Sequence, residues 1–237
     1  MHEHPELDQA DSHHCADVLR LEAGDKVVIF DGNGNEAFAR LLEVSRKHTR
    51  LEIGNRTTTP RPRCAITLVQ AVPKARNMDL IIQKAVELGA SAVVPILSER
   101  TIVRLEDEED ALRKQERWQS IAIEACKQCG QNLAPEIAMP RTTKEFLSDS
   151  PKAELLLIAS LQPDARPLKD VLSSYFGAKG TLPKSVLVMV GPEGDFTPAE
   201  TALARSAGAQ AISLGPIVLR TETAAIYCLS VLGHELF

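Results

Sequence analysis

An apolar run from Val186 to Val190 stops at Gly191-Pro192-Glu193-Gly194, and a helix start follows at once. Thr197 is placed to cap that helix, Pro198 suits its first position, and Glu200 completes a capping box. A strand, a tight glycine turn and a capped helix leave backbone N–H groups free to meet a ligand in an α/β protein. The turn has neither the Gly-Lys-Ser/Thr of a phosphate loop nor the three-glycine spacing of a dinucleotide fingerprint. Alone, it also fits a plain strand-end turn. A second segment, Leu214 to Ala225, follows another short apolar run, Ala211 to Leu214. It leads into a stretch with helical spacing: Ala225, Ile226, Cys228, Leu229, Val231 and Leu232. Arg220, Thr221 and Glu222 stand between these apolar stretches, and a simple turn would not require a charge pair there.

The elements that must hold these two loops come from a change of rhythm along the chain. The first part reads as short strands: Lys26–Phe30, Glu36–Val44 and Thr49–Ile53. Asp31-Gly32-Asn33-Gly34-Asn35 is a hairpin signal, because Gly and Asn tolerate positive φ. Ala37 to Leu42 alternates imperfectly, as in a small half-exposed barrel. Arg56 to Pro62, with two prolines and no apolar period, reads as a linker, which divides the chain into domains at 1–60 and 61–237. Beyond it strands alternate with helices. The strands are Ala65–Val72, Ala92–Ile96, Glu154–Ala159, Ser185–Val190 and Ala211–Leu214. The predicted helices are Asp79–Leu88, with Leu80, Ile81, Ala85 and Leu88 inward, then Asp110–Gln128, Pro167–Ser174, Thr197–Ala207 and Thr221–Leu236. Gly89 is placed to end the first of them and Gly130 the second. Apolar strands without alternation, flanked by helices, imply a parallel sheet covered on both faces. The fold class is therefore α/β, preceded by a small β domain.

A chain of 237 residues can bury a full core in one or two domains. No apolar run spans a bilayer, and the acidic, polar N-terminus is unlike a signal peptide. Five cysteines without framework spacing fit a reducing compartment, so a cytoplasmic location is expected. Cys126 and Cys129 fall inside a helical pattern and lack a second pair to complete a metal site, so they read as buried helix residues. His13 and His14 have no metal-spaced partner, and no metal is expected. The net charge of −5 counts against nucleic acid until its distribution is considered. Arg40, Arg46, Lys47, Arg50, Arg56, Arg61, Arg63, Lys74 and Arg76 are opposed within that span only by Glu43 and Glu52. Acidic residues crowd instead at Glu106 to Asp110. The asymmetry permits RNA without proving it, since such charges also solvate strand faces and turns. Few aromatics are available for base stacking.

The two C-terminal loops, in this order, resemble the signature of the 16S ribosomal RNA uridine-N3 methyltransferases, members of the knotted SPOUT superfamily. The likeness extends to Lys74–Gly89, Ser98-Glu99-Arg100-Thr101 and Glu124-Ala125 through Pro135-Glu136. It reaches His13-His14, Val18-Leu19-Arg20, Gly24-Asp25 and Phe30 to Gly34, and so covers most of the chain. The resemblance implies a trefoil-knotted parallel-sheet methyltransferase domain behind a PUA-like RNA-binding barrel. It further implies a homodimer, S-adenosyl-L-methionine as cofactor, and methylation of N3 of a uridine in 16S rRNA of the small ribosomal subunit.

N3 of uracil carries a proton and is a poor nucleophile while neutral, so a catalyst must remove that proton or stabilise the uracilate. Arg220, a permanent cation, is the main catalytic candidate; a salt bridge to Glu222 or Glu193 is its alternative role. Glu222 is the second candidate, as acceptor of the N3 proton or as a group orienting Arg220. The cofactor would lie among Gly191, Pro192, Glu193, Gly194, Leu214, Gly215, Leu219, Thr223 and Ala224, where glycines let backbone groups approach an adenine edge. Arg20, Arg46, Lys47 and Arg50 would contact RNA phosphates, with Lys74, Lys84 and Arg100 as further candidates. Lys84 and Arg100 also suit structural or dimer-seam positions.

The chain departs from the family pattern at four places. MHEHPELD replaces an Arg-Phe-Phe-like first strand, Ile217 stands where arginine is common, Gln131 replaces another arginine, and Asp195 stands where a third glycine is usual. Three other readings stay open: a knotted methyltransferase acting on another RNA position, an RNA-binding assembly factor without catalysis, and a small-molecule enzyme using the glycine turn as a phosphate loop. The last lacks the lysine and metal carboxylates that such chemistry needs.

Overall fold

Antiparallel pairing comes first along the chain, and parallel pairing follows, as the change of rhythm implies. The computed structural model describes residues 5–74, 77–105, 107–149 and 152–237. Arg76 and Glu106, which figure in the charge pattern, and the first four residues lie outside them. Two compact units, Met1–Arg61 and Pro62–Phe237, make up the chain.

The first unit opens with β1 (Glu6–Leu7), α1 (Gln9–His13) and a π-helical turn at His14–Val18. It continues through β2 (Lys26–Phe30), β3 (Asn35–Val44) and β4 (Thr49–Thr58). Its sheet has the order β1-β4-β3-β2 and is antiparallel throughout. A strand does precede the His-His segment, but it is only two residues long. Irregular alternation in β3 is explained by register shifts between Ala37 and Ala39 and between Leu41 and Glu43. These bulges keep Ala39 and Leu41 buried with Leu51 while Phe38 and Arg40 face outward. The Asp31–Asn35 turn is held by Asp31 Oδ1, which accepts from the N–H groups of Asn33 (2.7 Å) and Asn35 (3.1 Å). The linker expected at 56–62 is shorter than the sequence implies. Arg56 to Thr58 pair with Ala37 to Asn35, and the Thr58 hydroxyl donates to Asn35 Oδ1 at 2.9 Å.

The second unit runs β5 (Ala65–Ala71), α2 (Asn77–Glu87), β6 (Ala92–Leu97), α3 (Glu108–Cys129), β7 (Glu136–Ile137), β8 (Arg141–Thr142) and α4 (Thr143–Ser148). It then runs β9 (Leu155–Ala159), β10 (Arg166–Pro167), α5 (Leu168–Lys179), β11 (Ser185–Val190), α6 (Pro198–Ser206), β12 (Gln210–Ser213) and α7 (Thr221–Leu236). The strands lie in the order β10-β12-β9-β11-β5-β6-β7, with β8 also on β6, and every pairing is parallel. The chain first builds outward from β5 to β7. It then returns to the far side of β5 and passes β9 to place β12. Such a reversal opens a crevice at the carboxyl ends of the strands.

Helix ends follow local chemistry. Thr197 and Glu200 form the expected capping box, with Pro198 in the first turn of α6. Asp107 caps α3, and Gly130, at φ +73°, ends it. Helix α5 runs beyond Ser174 to Lys179, because only Gly180, at φ +71°, terminates it. In α2 the buried face is Met78, Ile81, Ile82, Ala85 and Val86, whereas Leu80, expected inward, is 40% exposed. Of the two helix cysteines Cys126 is buried and Cys129 is exposed, which corrects the expectation that both are interior.

One buried polar chain joins three of these elements. Gln70, in β5, has no exposed surface, and its Nε2 donates to Ala71 O (2.8 Å) and to Thr221 Oγ1 (3.0 Å). The Thr221 hydroxyl in turn donates to Gly191 O at 2.7 Å. Exchanging the two ends of the Gln70 amide would set an oxygen against the Ala71 carbonyl, so the donor assignment is fixed. Thr221 is thus the joint between β5, the end of β11 and the start of α7. Thr221→Val would remove the donor to the Gly191 carbonyl and leave Gln70 Nε2 with only the Ala71 carbonyl, a cost of about 2 kcal/mol. The expected result is a lower denaturant midpoint for Thr221→Val and near-parental stability for Thr221→Ser; equal stability of both variants would contradict the joint.

Candidate functional site

The glycine turn after β11 has little freedom. A Cβ on Gly191 would stand 3.2 Å from the Phe196 ring and 3.3 Å from the Phe196 nitrogen, so a side chain there would crowd the loop and push its neighbours by a few tenths of an ångström. Asp195 N–H donates to Pro192 O at 2.9 Å, and Phe196 is buried beneath the turn. Neighbouring loops brace it. Glu193 Oε1 accepts from the Lys74 N–H at 3.1 Å, beyond the end of β5. Arg100, beyond β6, donates from a guanidinium nitrogen to Gly194 O at 2.6 Å. Glu200, itself buried, accepts from the Glu99 N–H (3.0 Å) and the Thr197 N–H (2.9 Å). These charge-assisted bonds to backbone donors and an acceptor fix the loop on the sheet edge.

A pocket of about 510 Å³ opens at the carboxyl ends of β9, β11 and β12. Its volume is in the range that holds a nucleoside-sized ligand. Gly191, Pro192 and Glu193 form one wall, and Leu214, Gly215 and Leu219 another. Arg220 and Ala224 line it from the start of α7. Gly194, Thr223 and Glu222, also singled out in the sequence, do not line it; a Cβ on Gly194 would instead press on Arg100 Cδ at 3.3 Å. Gly215 adopts φ +117°, a conformation that needs glycine, and turns the chain into the rim, where Ile217 and Val218 are 69% and 76% exposed.

Sequence reasoning missed a third wall, Ala159 to Gln162 beyond β9. Its signal was available: ELLLIA is a buried parallel strand, and ligands gather where such strands end. Asp195 was also missed as a pocket residue.

Electrostatically the site is simple. The charged residues lining it are Glu193, Asp195 and Arg220. Arg220 makes no ion pair or hydrogen bond through its side chain among the described residues, so the expected alternative of a bridge to Glu222 or Glu193 is not formed. An exposed, unpaired guanidinium at a pocket wall can receive an anion. No group of three metal-ligating side chains occurs among the described residues.

The other cations are held differently. Arg46 pairs with Asp17 (3.0 Å) and Arg50 lies 3.8 Å from Glu43, while Lys47 is exposed between them. Arg20, also exposed, carries φ +54°. Lys84 is engaged by both carboxylate oxygens of Glu87 at 2.8 Å, and Lys74 is exposed beside its own anchored N–H. No helix among the described residues is long and apolar enough to cross a membrane.

Comparison with known proteins gives these features a setting. The RNA methyltransferase domain family matches residues 59–233, and the RNA methyltransferase PUA domain family matches residues 7–54. Ribosomal RNA small subunit methyltransferase E of Bacillus subtilis (strain 168) is 30% identical over 226 residues, 94% of this chain and 87% of that protein. The protein of the same name from Synechocystis is 32% identical over 226 residues, 94% of this chain and 71% of its own. A crystal structure of ribosomal RNA small subunit methyltransferase E from Neisseria gonorrhoeae bound to S-adenosyl methionine superposes with a TM-score of 0.84 at 33% identity, over 97% of this chain and 91% of that one. With a parallel sheet whose strand ends carry the pocket, a curled antiparallel unit before it, and a match across most of its length, the chain belongs to the RNA methyltransferase family.

Proposed function

We propose that this protein transfers a methyl group from S-adenosyl-L-methionine to N3 of a uridine in 16S rRNA of the small ribosomal subunit. The observation that carries the reading is the pocket at the ends of β9, β11 and β12, with the unpaired Arg220 guanidinium in its wall. The pocket-lining backbone of Gly191 and Leu214–Gly215 suits the edge of an adenine, and the volume suits a nucleoside. The cofactor supplies an electrophilic methyl group. The protein's own task is to hold the uracil ring in line and to stabilise the negative charge that spreads over O2 and O4 when N3 loses its proton. Arg220 performs the second task. Glu222, at the same helix start but away from the pocket lining, orients the entry to α7 or takes the proton.

The unit at 1–60 is read as the RNA-binding PUA-like domain and 61–237 as the methyltransferase domain. Lys47 and Arg20 meet phosphates directly, and Arg46 and Arg50 do so on leaving Asp17 and Glu43. Lys74 and Arg100, beside the glycine turn, are suited to RNA near the reacting base. Lys84 requires release from Glu87 first. The same reading includes a trefoil knot at α7, a homodimer and a cytoplasmic location. A relative acting on another RNA position shares the pocket. Ile217, an exposed apolar residue on the rim where the resemblance implies arginine, favours keeping that second reading in the test.

The direct experiment incubates the protein with labelled S-adenosylmethionine and 30S subunits from a strain lacking the uridine-N3 methyl mark. Label is expected in 3-methyluridine; label in another nucleoside moves the target, and binding without transfer removes the catalytic reading. Arg220→Ala should keep cofactor affinity near the parental value and slow methyl transfer at least about tenfold, about 1.4 kcal/mol of transition-state stabilisation. Parental turnover would exclude Arg220 from the chemistry. In Gly191→Ala the new methyl group crowds the Phe196 ring, the Asp195 carboxylate and the Phe196 nitrogen, which must each give by a few tenths of an ångström, and calorimetry should show cofactor affinity reduced about tenfold (about 1.4 kcal/mol). Reversing the charges of Arg46, Lys47 and Arg50 together should weaken RNA binding and flatten its salt dependence. A parental salt slope would place the RNA surface elsewhere.

A further inference from the structure

Asp195 is an exception in two respects. It is one of two non-glycine residues with positive φ among the described residues, at +61°. It also lies on a wall of the pocket, as one of the three charged residues there. Glycine would adopt this backbone freely, whereas an L side chain there carries strain, least of all for Asp and Asn. A strained residue in a ligand wall is reason to ask what its side chain does.

The carboxylate is well placed. Oδ1 accepts from the Phe196 N–H at 2.8 Å and lies 3.3 Å from the point where a Cβ on Gly191 would stand. The group is therefore fixed against the Gly191 wall, and Oδ2 receives no donor from the described residues. With Glu193 and Arg220 as the other charged lining residues, Asp195 gives the pocket a formal excess of one negative charge. Glu193 is already tied through Oε1 to the Lys74 N–H. A half-enclosed pocket with one unbalanced carboxylate favours a cation over a neutral molecule of the same shape.

We propose that Asp195 is the residue by which this protein distinguishes methylated from spent cofactor. The inference rests on the S-adenosylmethionine reading above. S-adenosylmethionine carries a positive sulfonium. When the methyl carbon passes to N3, the carbon–sulfur bond breaks, its electron pair stays on sulfur, and a neutral thioether remains. Carboxylate attraction is therefore present for the incoming molecule and absent for the product. The ammonium and carboxylate of the methionine moiety are common to both, so they do not contribute to the difference. Asp195 thus acts on affinity and product release and does not touch the reacting uracil.

Asp195→Asn isolates the charge, because Asn tolerates the same backbone region and keeps an oxygen for the Phe196 N–H. Calorimetric titration of the full chain with S-adenosylmethionine, S-adenosylhomocysteine and sinefungin, which carries an amine in place of the methylsulfonium, tests the proposal. In the parent, the two cationic ligands should bind more tightly than S-adenosylhomocysteine. In Asp195→Asn their Kd should rise about tenfold, or about 1.4 kcal/mol, while that of S-adenosylhomocysteine changes less than about twofold. Added salt should shrink the difference between parent and variant. Equal weakening of all three ligands would mean that the carboxylate binds a shared hydroxyl or ammonium and would overturn the proposal, as would three unchanged affinities. A parent that binds none of the three would overturn the cofactor reading itself. Asp195→Gly, which relieves the backbone strain, should reproduce the loss of discrimination with an unfolding midpoint no lower than the parent's.

Discussion

Thr221 Oγ1 occupies the position on which the rest of the second unit depends. It accepts a hydrogen bond from the Gln70 amide and donates one to the Gly191 carbonyl, so β5, β11 and α7 meet at one hydroxyl. Gln70 and Thr221 are buried, and in such surroundings a hydrogen bond is worth more than it is in water, while Gln70 Oε1 finds no partner among the described residues. Gly191 O belongs to the turn that shapes one pocket wall, while the backbone just before Thr221 carries Arg220. The placement of the cation and the closure of the loop are thus consequences of the same contact. A hydrophobic residue at position 221 would pack as well and hold neither.

Around that joint the loops are stitched by carboxylates and a guanidinium meeting backbone groups. Glu193 ties the end of β11 to that of β5. Arg100 and Glu200 span β5 to join the loop beyond β6 to the turn and to α6, Glu200 doing so from a buried position with two N–H donors. Such bonds suit a site that must present backbone to a ligand, because they hold the chain from behind and leave its other side free. The rim behaves in the opposite way. From Gly215 to Val218 it projects apolar side chains into solvent, with little to restrain them.

What could be read from the sequence was what is local. The capping box of α6, the extent of α7, and the glycines ending α3 and preceding β6 all depend on residues within a few positions, and the chain shows them directly. Leu80 was misplaced because a one-residue rotation of a short helix fits the periodicity nearly as well, and only Met78 and Ile82 settle which face packs. The linker was drawn too long because Arg56 to Thr58 lack apolar alternation yet pair with a partner strand. The wall beyond β9 and the Gln70–Thr221 contact were invisible for a different reason. They join residues far apart in sequence, and a glutamine in an apolar strand gives no hint of which distant hydroxyl it will meet. Resemblance to a known family supplied the pairing of the two C-terminal loops, while the geometry showed which of their residues face the cavity.

The order of strands in the parallel sheet has a consequence for synthesis. The walls of the pocket are contributed by segments beginning at Ala159 and ending at Ala224, and the joint that closes them pairs Gln70 with a residue 151 positions later. On a growing chain, β5, α2 and β6 emerge first and can pair, but β5 keeps one open edge until β11 arrives. Sequence separations of this size slow folding and leave strand edges exposed in the interval. The nascent protein therefore carries an unpaired apolar edge on β5 until β11 has left the ribosome, and its cofactor site is complete only when the start of α7 has followed.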